Sequence, residues 1–382
     1  MAELTSSHEP TAERADDPLS PFVRPHVRAV PPAVHGALSD GELRRWGRRP
    51  EEVLDFSANV NPYGPPPGVE GAWVTADVAR YPDPDALRLR EALADHHGVR
   101  PEHIVVTNGT AELIWLVALA FVRPGDRVLV CAPTYGDYAR AVRLMGGSVA
   151  ECRAREEDGF AHRAAHVEEA LRRLNPRLCF ICTPNNPTGR IVPANLIWRW
   201  ADTFPHTLFA VDEAYINFVP GLLPAVDPAR PNVLVLRSMT KDYALAGLRV
   251  GYGVGHAGLI GGVARVRPSW NVSAVAQAAG LAALAGRAHM ELTVREVRRA
   301  SAALREELGA VGLEVLPSST HFFLVRVGRA RAFRDALARQ GIAVRDCTSF
   351  GLPAHVRVSA RRPEENRRLV EAVRAVLRGR RP

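Results

Sequence analysis

The chain has 382 residues, 47 % hydrophobic and 24 % charged, with a formal net charge of +8 and a pI near 9.7. That length allows one large domain plus a smaller one, each with its own core. No apolar run approaches the roughly 18 residues of a membrane-spanning helix, and arginines scattered at helix-face spacing argue against a nucleic-acid arm.

The first 20 residues are polar and acidic, have no apolar stretch like a signal peptide's, and read as a flexible tail. A proline-rich stretch (20–32), a short polar helix at Asp40–Arg48 and an extended arm, LDFSANVNPYGPPPGV, follow. From about residue 84 the chain alternates. Helix DALRLREALADHHG precedes strand HIVVTN, and helix AELIWLVALAFV precedes strand RVLVCAP. A helix at GDYARAVRLMGG comes next, then strands RLCFICTP, TLFAVDEAY, NVLVLRS and RVGYGVG. Short β-branched runs between helices predict an α/β fold with a mostly parallel central sheet flanked by helices. Beyond about residue 265 helices dominate, then strand FFLVRV, helix RAFRDALARQG, strands IAVRDC and HVRVSA, and a terminal helix. The expected organisation is a tail at 1–20, a large domain at 70–265, and a smaller α+β domain from 21–69 and 266–382. Five cysteines (131, 152, 179, 182, 347) show no framework spacing, and the CxxC inside LCFIC has no second pair. A reduced, cytoplasmic protein without a metal site is expected.

Lys241 is the sole lysine among 49 Lys+Arg residues. An ammonium can lose its proton and attack a carbonyl, whereas a guanidinium stays charged in proteins. Lys241 follows the apolar run VLVLRSMT and precedes Arg249 by eight residues, as a Schiff-base lysine beside an anion site would. Parallel sheets bind ligands at the carboxyl ends of their strands, and other candidates fall there. Thr107-Asn108-Gly109-Thr110-Ala111 joins a strand to a helix whose N-terminus can face a phosphate. Asp212 and Tyr215 end LFAVDEAY, where the aspartate would either pair with a cationic ring nitrogen or cap a helix. Asn186 lies in the turn TPNNPTG.

Taken together, and in order, SANVNPYG, RYPDPD, TNGTAE, APTYGDY, TPNNPTG, VDEAY, SMTKDYALAGLRVGY and HVRVSA resemble the fold-type I pyridoxal-phosphate enzymes of the class I/II aminotransferase superfamily, over about residues 30–380. The resemblance implies pyridoxal 5'-phosphate as cofactor, carried by Lys241. It implies that Asp212 pairs with the ring nitrogen, Asn186 and Tyr215 with the phenolic oxygen, and that Tyr135 stacks on the ring. Gly109, Thr110, Ala111, Ser238 and Arg249 would bind the cofactor phosphate, and Tyr81 would reach that of a neighbouring subunit in a homodimer. Arg357 would hold the substrate carboxylate in a bidentate fork.

Within that superfamily the chain is most similar to the threonine-phosphate decarboxylases and the histidinol-phosphate aminotransferases. Arg345 matches a second arginine that serves the substrate's distal phosphate; His35 and Asn59 join it as substrate candidates. DFSANVNP, His35-Gly36, PSWNVSA and VRDCTSF lean toward decarboxylation of O-phospho-L-threonine to (R)-1-amino-2-propanol O-phosphate, a cobalamin side-chain precursor. Ala37 and Leu38, where those enzymes carry Gly and Asn, depart from the pattern, as do TNGTAE and THFFLV. The alternative is transamination of histidinol phosphate or a related amino acid with 2-oxoglutarate. A cofactor-binding transcription regulator of the same fold would need a winged-helix domain ahead of the matching blocks, and about 30 residues precede them.

Overall fold

The computed structural model describes residues 22–32, 36 and 38–379. The predicted tail at 1–20 and the substrate candidate His35 lie outside the described residues.

A short strand, β1 (Leu54–Asp55), precedes the seven strands of the main sheet. These are β2 (Ile104–Thr107), β3 (Arg127–Ala132), β4 (Ser148–Arg153), β5 (Leu178–Cys182), β6 (Leu208–Asp212), β7 (Val233–Ser238) and β8 (Gly251–Gly255). Their spatial order is β2-β8-β7-β6-β5-β3-β4, and β8 alone runs antiparallel to its neighbours. β5, β6 and β7 are buried on both faces, which is why they read as unbroken apolar runs. Alternation still sorts their side chains. Phe180, Ala210 and Leu234 pack with Leu113 and Val117 of the Gly109–Phe121 helix. Cys179, Phe209 and Val233 pack on the other face with Leu171, Ile197 and Trp200. Cys179 and Cys182, an odd number of residues apart, therefore enter opposite cores.

β4 is not singled out by the sequence pattern. As the edge strand its residues are only partly buried, so it lacks the apolar run that marks its neighbours. The helices Ala164–Leu174 and Ala194–Thr203 likewise emerge only in the structure.

The second sheet is antiparallel, in the order β12-β13-β10-β9. It comprises β9 (Glu314–Val315), β10 (Phe322–Arg326), β12 (Arg345–Asp346) and β13 (His355–Ser359), while β11 (Ile342–Ala343) pairs in parallel with β1. The segment IAVRDC, read from sequence as one strand, is two. It changes partner at Val344, giving its first half to the N-terminal arm and its second to β13. Phe56, Phe323, Val358, Phe333 and Leu369 form the core beneath. Among the described residues no helix is long and apolar enough to cross a membrane.

Candidate active site

A cavity of about 780 Å³ opens where β5, β6 and β7 end, between the main sheet, the arm and the second sheet. Lys241 reaches it from the turn after β7, its carbonyl oxygen accepting a hydrogen bond from the Asn61 amide at 2.8 Å. Burial, then repulsion from Arg357 and Arg249, pushes the Lys241 ammonium down to about 8, while Asp212 opposes the shift.

Asp212 is the last residue of β6 and is 4 % exposed. Tyr138 Oη donates to one carboxylate oxygen at 2.6 Å and the Ala214 amide to the other at 3.0 Å. Burial raises the carboxyl's pKa, and those two donors and Lys241 hold it back. Tyr138 is missing from the sequence-derived set. Buried and stacked on Phe180 at 4.9 Å, it looks like ordinary core until the fold brings it to an aspartate 74 positions away. Tyr135, one turn earlier, lines the cavity and donates to Asp137 Oδ2 at 2.8 Å.

On the opposite wall, Arg357 donates to Asn186 Oδ1 and to the Ser57 carbonyl. The guanidinium lies over the Phe322 ring at 5.7 Å, and its Nε has no partner among the described residues. Tyr215 packs edge-on to the same ring at 4.8 Å and accepts a 3.4 Å bond from Asn59 Nδ2. Burial pushes the Tyr215 phenol up to about 12, against the pull of Arg357 and Asn59. Arg345 faces Arg357 directly across the β12–β13 ladder. It donates to Ser349 Oγ at 2.8 Å and lies 5.5 Å over Phe350. Burial lowers both arginines' pKa, and Arg357 adds to the lowering at Arg345. Gly36 sits against the pair, where an added Cβ would lie 3.2 Å from Arg345 Cδ and 3.4 Å from Arg357 Nη2.

The remaining wall is the N-terminus of the Gly109–Phe121 helix, with Thr110 and Ala111 facing the cavity beside Arg249. Two glycines make this joint. Gly109 has φ +74°, and a Cβ there would sit 2.7 Å from Arg249 Nη2. Gly251 of β8 lets the helix approach the sheet, since its Cβ would lie 2.6 Å from the Thr110 nitrogen. Gly109 thus shapes the wall without lining it. Ser238 stands behind Thr240, 2.6 Å from its hydroxyl, and Thr240, which the sequence reading passes over, is the one at the cavity. Tyr81 is elsewhere: it is 79 % exposed, stacked on Trp270 at 4.5 Å.

A family model described as aminotransferase class I and II matches residues 51–373. The chain belongs to the class I and II aminotransferase family. Among curated members it is similar to a histidinol-phosphate aminotransferase of Symbiobacterium thermophilum. The two are 38% identical over 361 residues, 93% of this chain and 98% of that one. Among solved structures it is similar to histidinol-phosphate aminotransferase from Sinorhizobium meliloti in complex with pyridoxal-5'-phosphate. That match has TM-score 0.84 and 26% identity, covering 94% of this chain and 98% of that one. L-threonine-O-3-phosphate decarboxylase from Porphyromonas gingivalis matches with TM-score 0.74 and 30% identity, over 85% of this chain and all (100%) of that one.

The residues of this aminotransferase-family cavity fit the family's cofactor on their own chemistry. An amine of lowered pKa, a buried carboxylate, a helix N-terminus beside an arginine, and the unpartnered Asn59 Oδ1 converge on one space.

Proposed function

We propose that this protein is a pyridoxal-phosphate-dependent aminotransferase of a small phosphorylated amino compound, histidinol phosphate or a related amino acid, with 2-oxoglutarate and glutamate as amino-group partners. The observation that carries the substrate class is the pairing of Arg345 and Arg357. Directly opposed residues of an antiparallel ladder share a face, so two desolvated guanidiniums point into the cavity that holds Lys241. Among the described residues Arg357 donates to neutral oxygens and its Nε has no partner, and such a buried cation calls for an anionic ligand. Two of them suit a dianionic phosphate, or a substrate with two separate anionic groups such as the dicarboxylates 2-oxoglutarate and glutamate.

When bound, pyridoxal phosphate supplies an electron sink for the bond broken at the substrate's Cα. Asp212, its carboxylate oxygens accepting from Tyr138 and the Ala214 amide, would bond a protonated ring nitrogen, worth about 1.5–3 kcal/mol as a charge-assisted hydrogen bond. Asn186 and Tyr215 would hold the phenolic oxygen, with Tyr135 across the ring face. Thr110, Ala111, Thr240 and Arg249 would take the cofactor phosphate at a helix N-terminus. Lys241 would carry the cofactor through its amine and would serve as the general acid and base at the substrate's Cα. Arg345, Arg357 and Asn59 orient the substrate, and His35 would join them. The reading includes a cytoplasmic homodimer in which Tyr81 of each subunit completes the other's site.

Decarboxylation of O-phospho-L-threonine, the first expectation from the arm and the Arg345 segment, becomes the second reading. The curated relative and the higher-scoring structural neighbour are named as histidinol-phosphate aminotransferases, while the Porphyromonas gingivalis enzyme keeps the decarboxylase in view. The two reactions break different bonds at the substrate's Cα, and the orientation that Arg345 and Arg357 would give the substrate selects between them. Incubating the purified protein with each substrate separates them. Glutamate formed from 2-oxoglutarate in the presence of histidinol phosphate is expected; carbon dioxide from phosphothreonine without any keto acid would replace that reading with the second.

A further inference from the structure

The cavity continues past Tyr135 along one face of the Asp137–Leu144 helix. Gly136, Asp137, Tyr138, Ala139, Arg140 and Arg143 line it, and Arg140 and Arg143, three residues apart, are neighbours on one face of the helix. Asp212 and Arg357 are 4 % and 5 % exposed, whereas Arg140 and Arg143 are half-buried. The two α-helical arginines therefore stand where the cavity meets solvent. Their charges are not spoken for. Arg153 nearby is held by Glu151 at 2.6 Å and by the Phe350 carbonyl at 2.8 Å, but Arg140 and Arg143 make no ion pair among the described residues. Arg140 instead rests over the Trp115 ring at 5.2 Å, with a buried Nε that has no partner among the described residues.

A cation that grips a bound anion is desolvated and fixed by its neighbours, as Arg357 is. A half-exposed guanidinium without a counterion acts at longer range, over about the 8 Å Debye length of physiological salt, and changes encounter rates more than bound-state affinity. We propose that Arg140 and Arg143 form a capture vestibule for phosphorylated ligands, drawing dianions toward Lys241 and speeding their association without holding them at the end of the route. The vestibule serves cofactor and substrate alike, because both carry a phosphate and both would enter the cavity that Arg140, Arg143 and Lys241 line. It goes beyond the assignment of Arg345 and Arg357, which concerns the bound state.

The test uses the full-length chain freed of cofactor, with uptake of pyridoxal phosphate followed by stopped-flow tryptophan fluorescence from about 0.02 to 0.5 M salt. Pyridoxal, which lacks the phosphate, is the control. In the double variant R140E/R143E, uptake of the phosphate form is expected to slow roughly tenfold at low salt and to converge on the parent rate at high salt. R140Q/R143Q should fall between, while release rates and pyridoxal uptake stay unchanged. Unaltered uptake, equal slowing of pyridoxal, or an effect confined to release would each overturn the vestibule. Neither proposed substrate enters this test, so its outcome and the choice between transamination and decarboxylation fail or stand separately.

Discussion

In the proposed reaction Lys241 has to be nucleophilic near neutral pH, and its surroundings favour that. A lysine of ordinary pKa is almost wholly protonated at pH 7. Here burial and two arginines bring it to about 8, against the partial opposition of Asp212. Reductive methylation of Lys241 in the cofactor-free chain, followed by peptide mass spectrometry, should therefore rise with pH about a midpoint near 8. A midpoint above 10 would mean that neither burial nor the arginine field lowers the amine's pKa. The same depression has a sign in stability. Between about 8 and the ordinary 10.5 the unfolded chain binds more protons at this site than the folded one. The cost of burying the ammonium is thus fully present below that window and is relieved as pH rises through it. The chemical type of Lys241 is readable from composition, because one lysine among 49 basic residues stands out. Tyr138 is not readable in this way, because a buried tyrosine in a helix gives no sign of which carboxylate it will meet.

At the level of elements, the proposed phosphate end of the site depends on how closely the Gly109–Phe121 helix approaches β8. The gap is closed by Gly251, whose added Cβ would meet backbone at 2.6 Å, and backbone cannot swing aside as a side chain can. Gly251→Ala is expected to destabilise the fold by about 1–3 kcal/mol and to weaken retention of pyridoxal phosphate as the helix N-terminus shifts. Denaturant titration and cofactor release on dilution measure the two effects; retention equal to the parent's would show that the helix position is not what holds the phosphate. The glycine-rich strand RVGYGVG is plain in the sequence, but the neighbour that needs the missing side chain is not. The same holds for IAVRDC. Its apolar residues announce a strand, yet the break at Val344 arises from two competing pairings, with β1 on one side and β13 on the other. β4 goes unannounced for the opposite reason, since an edge position asks little of its side chains.

At the scale of the whole molecule, several large apolar side chains stand exposed among the described residues. Val74, Val78, Tyr81 and Trp270 are 73 %, 77 %, 79 % and 47 % exposed, and the last two stack on each other. Exposed apolar groups of this size mark interaction surfaces, and a second copy of the chain is the occupant that the proposed role of Tyr81 calls for. The paired substitution Val78→Glu with Tyr81→Glu should convert a dimer to a monomer in sedimentation velocity and loosen the cofactor, whereas an unchanged sedimentation coefficient would remove this face from the interface. The sequence by itself determined the α/β alternation, the family-like order of blocks, and the chemical types at the strand ends, because those follow from local periodicity and from which residues can do a given job. Tertiary structure decided which of them share a space. Arg345 and Arg357 became one site through the β12–β13 register, and Tyr138 joined Asp212 through the crossover of parallel strands. Arg140 and Arg143 became a cavity wall through the packing of a helix. Contacts of that kind depend on register and helix placement over long sequence separations, which local patterns of side chains do not encode.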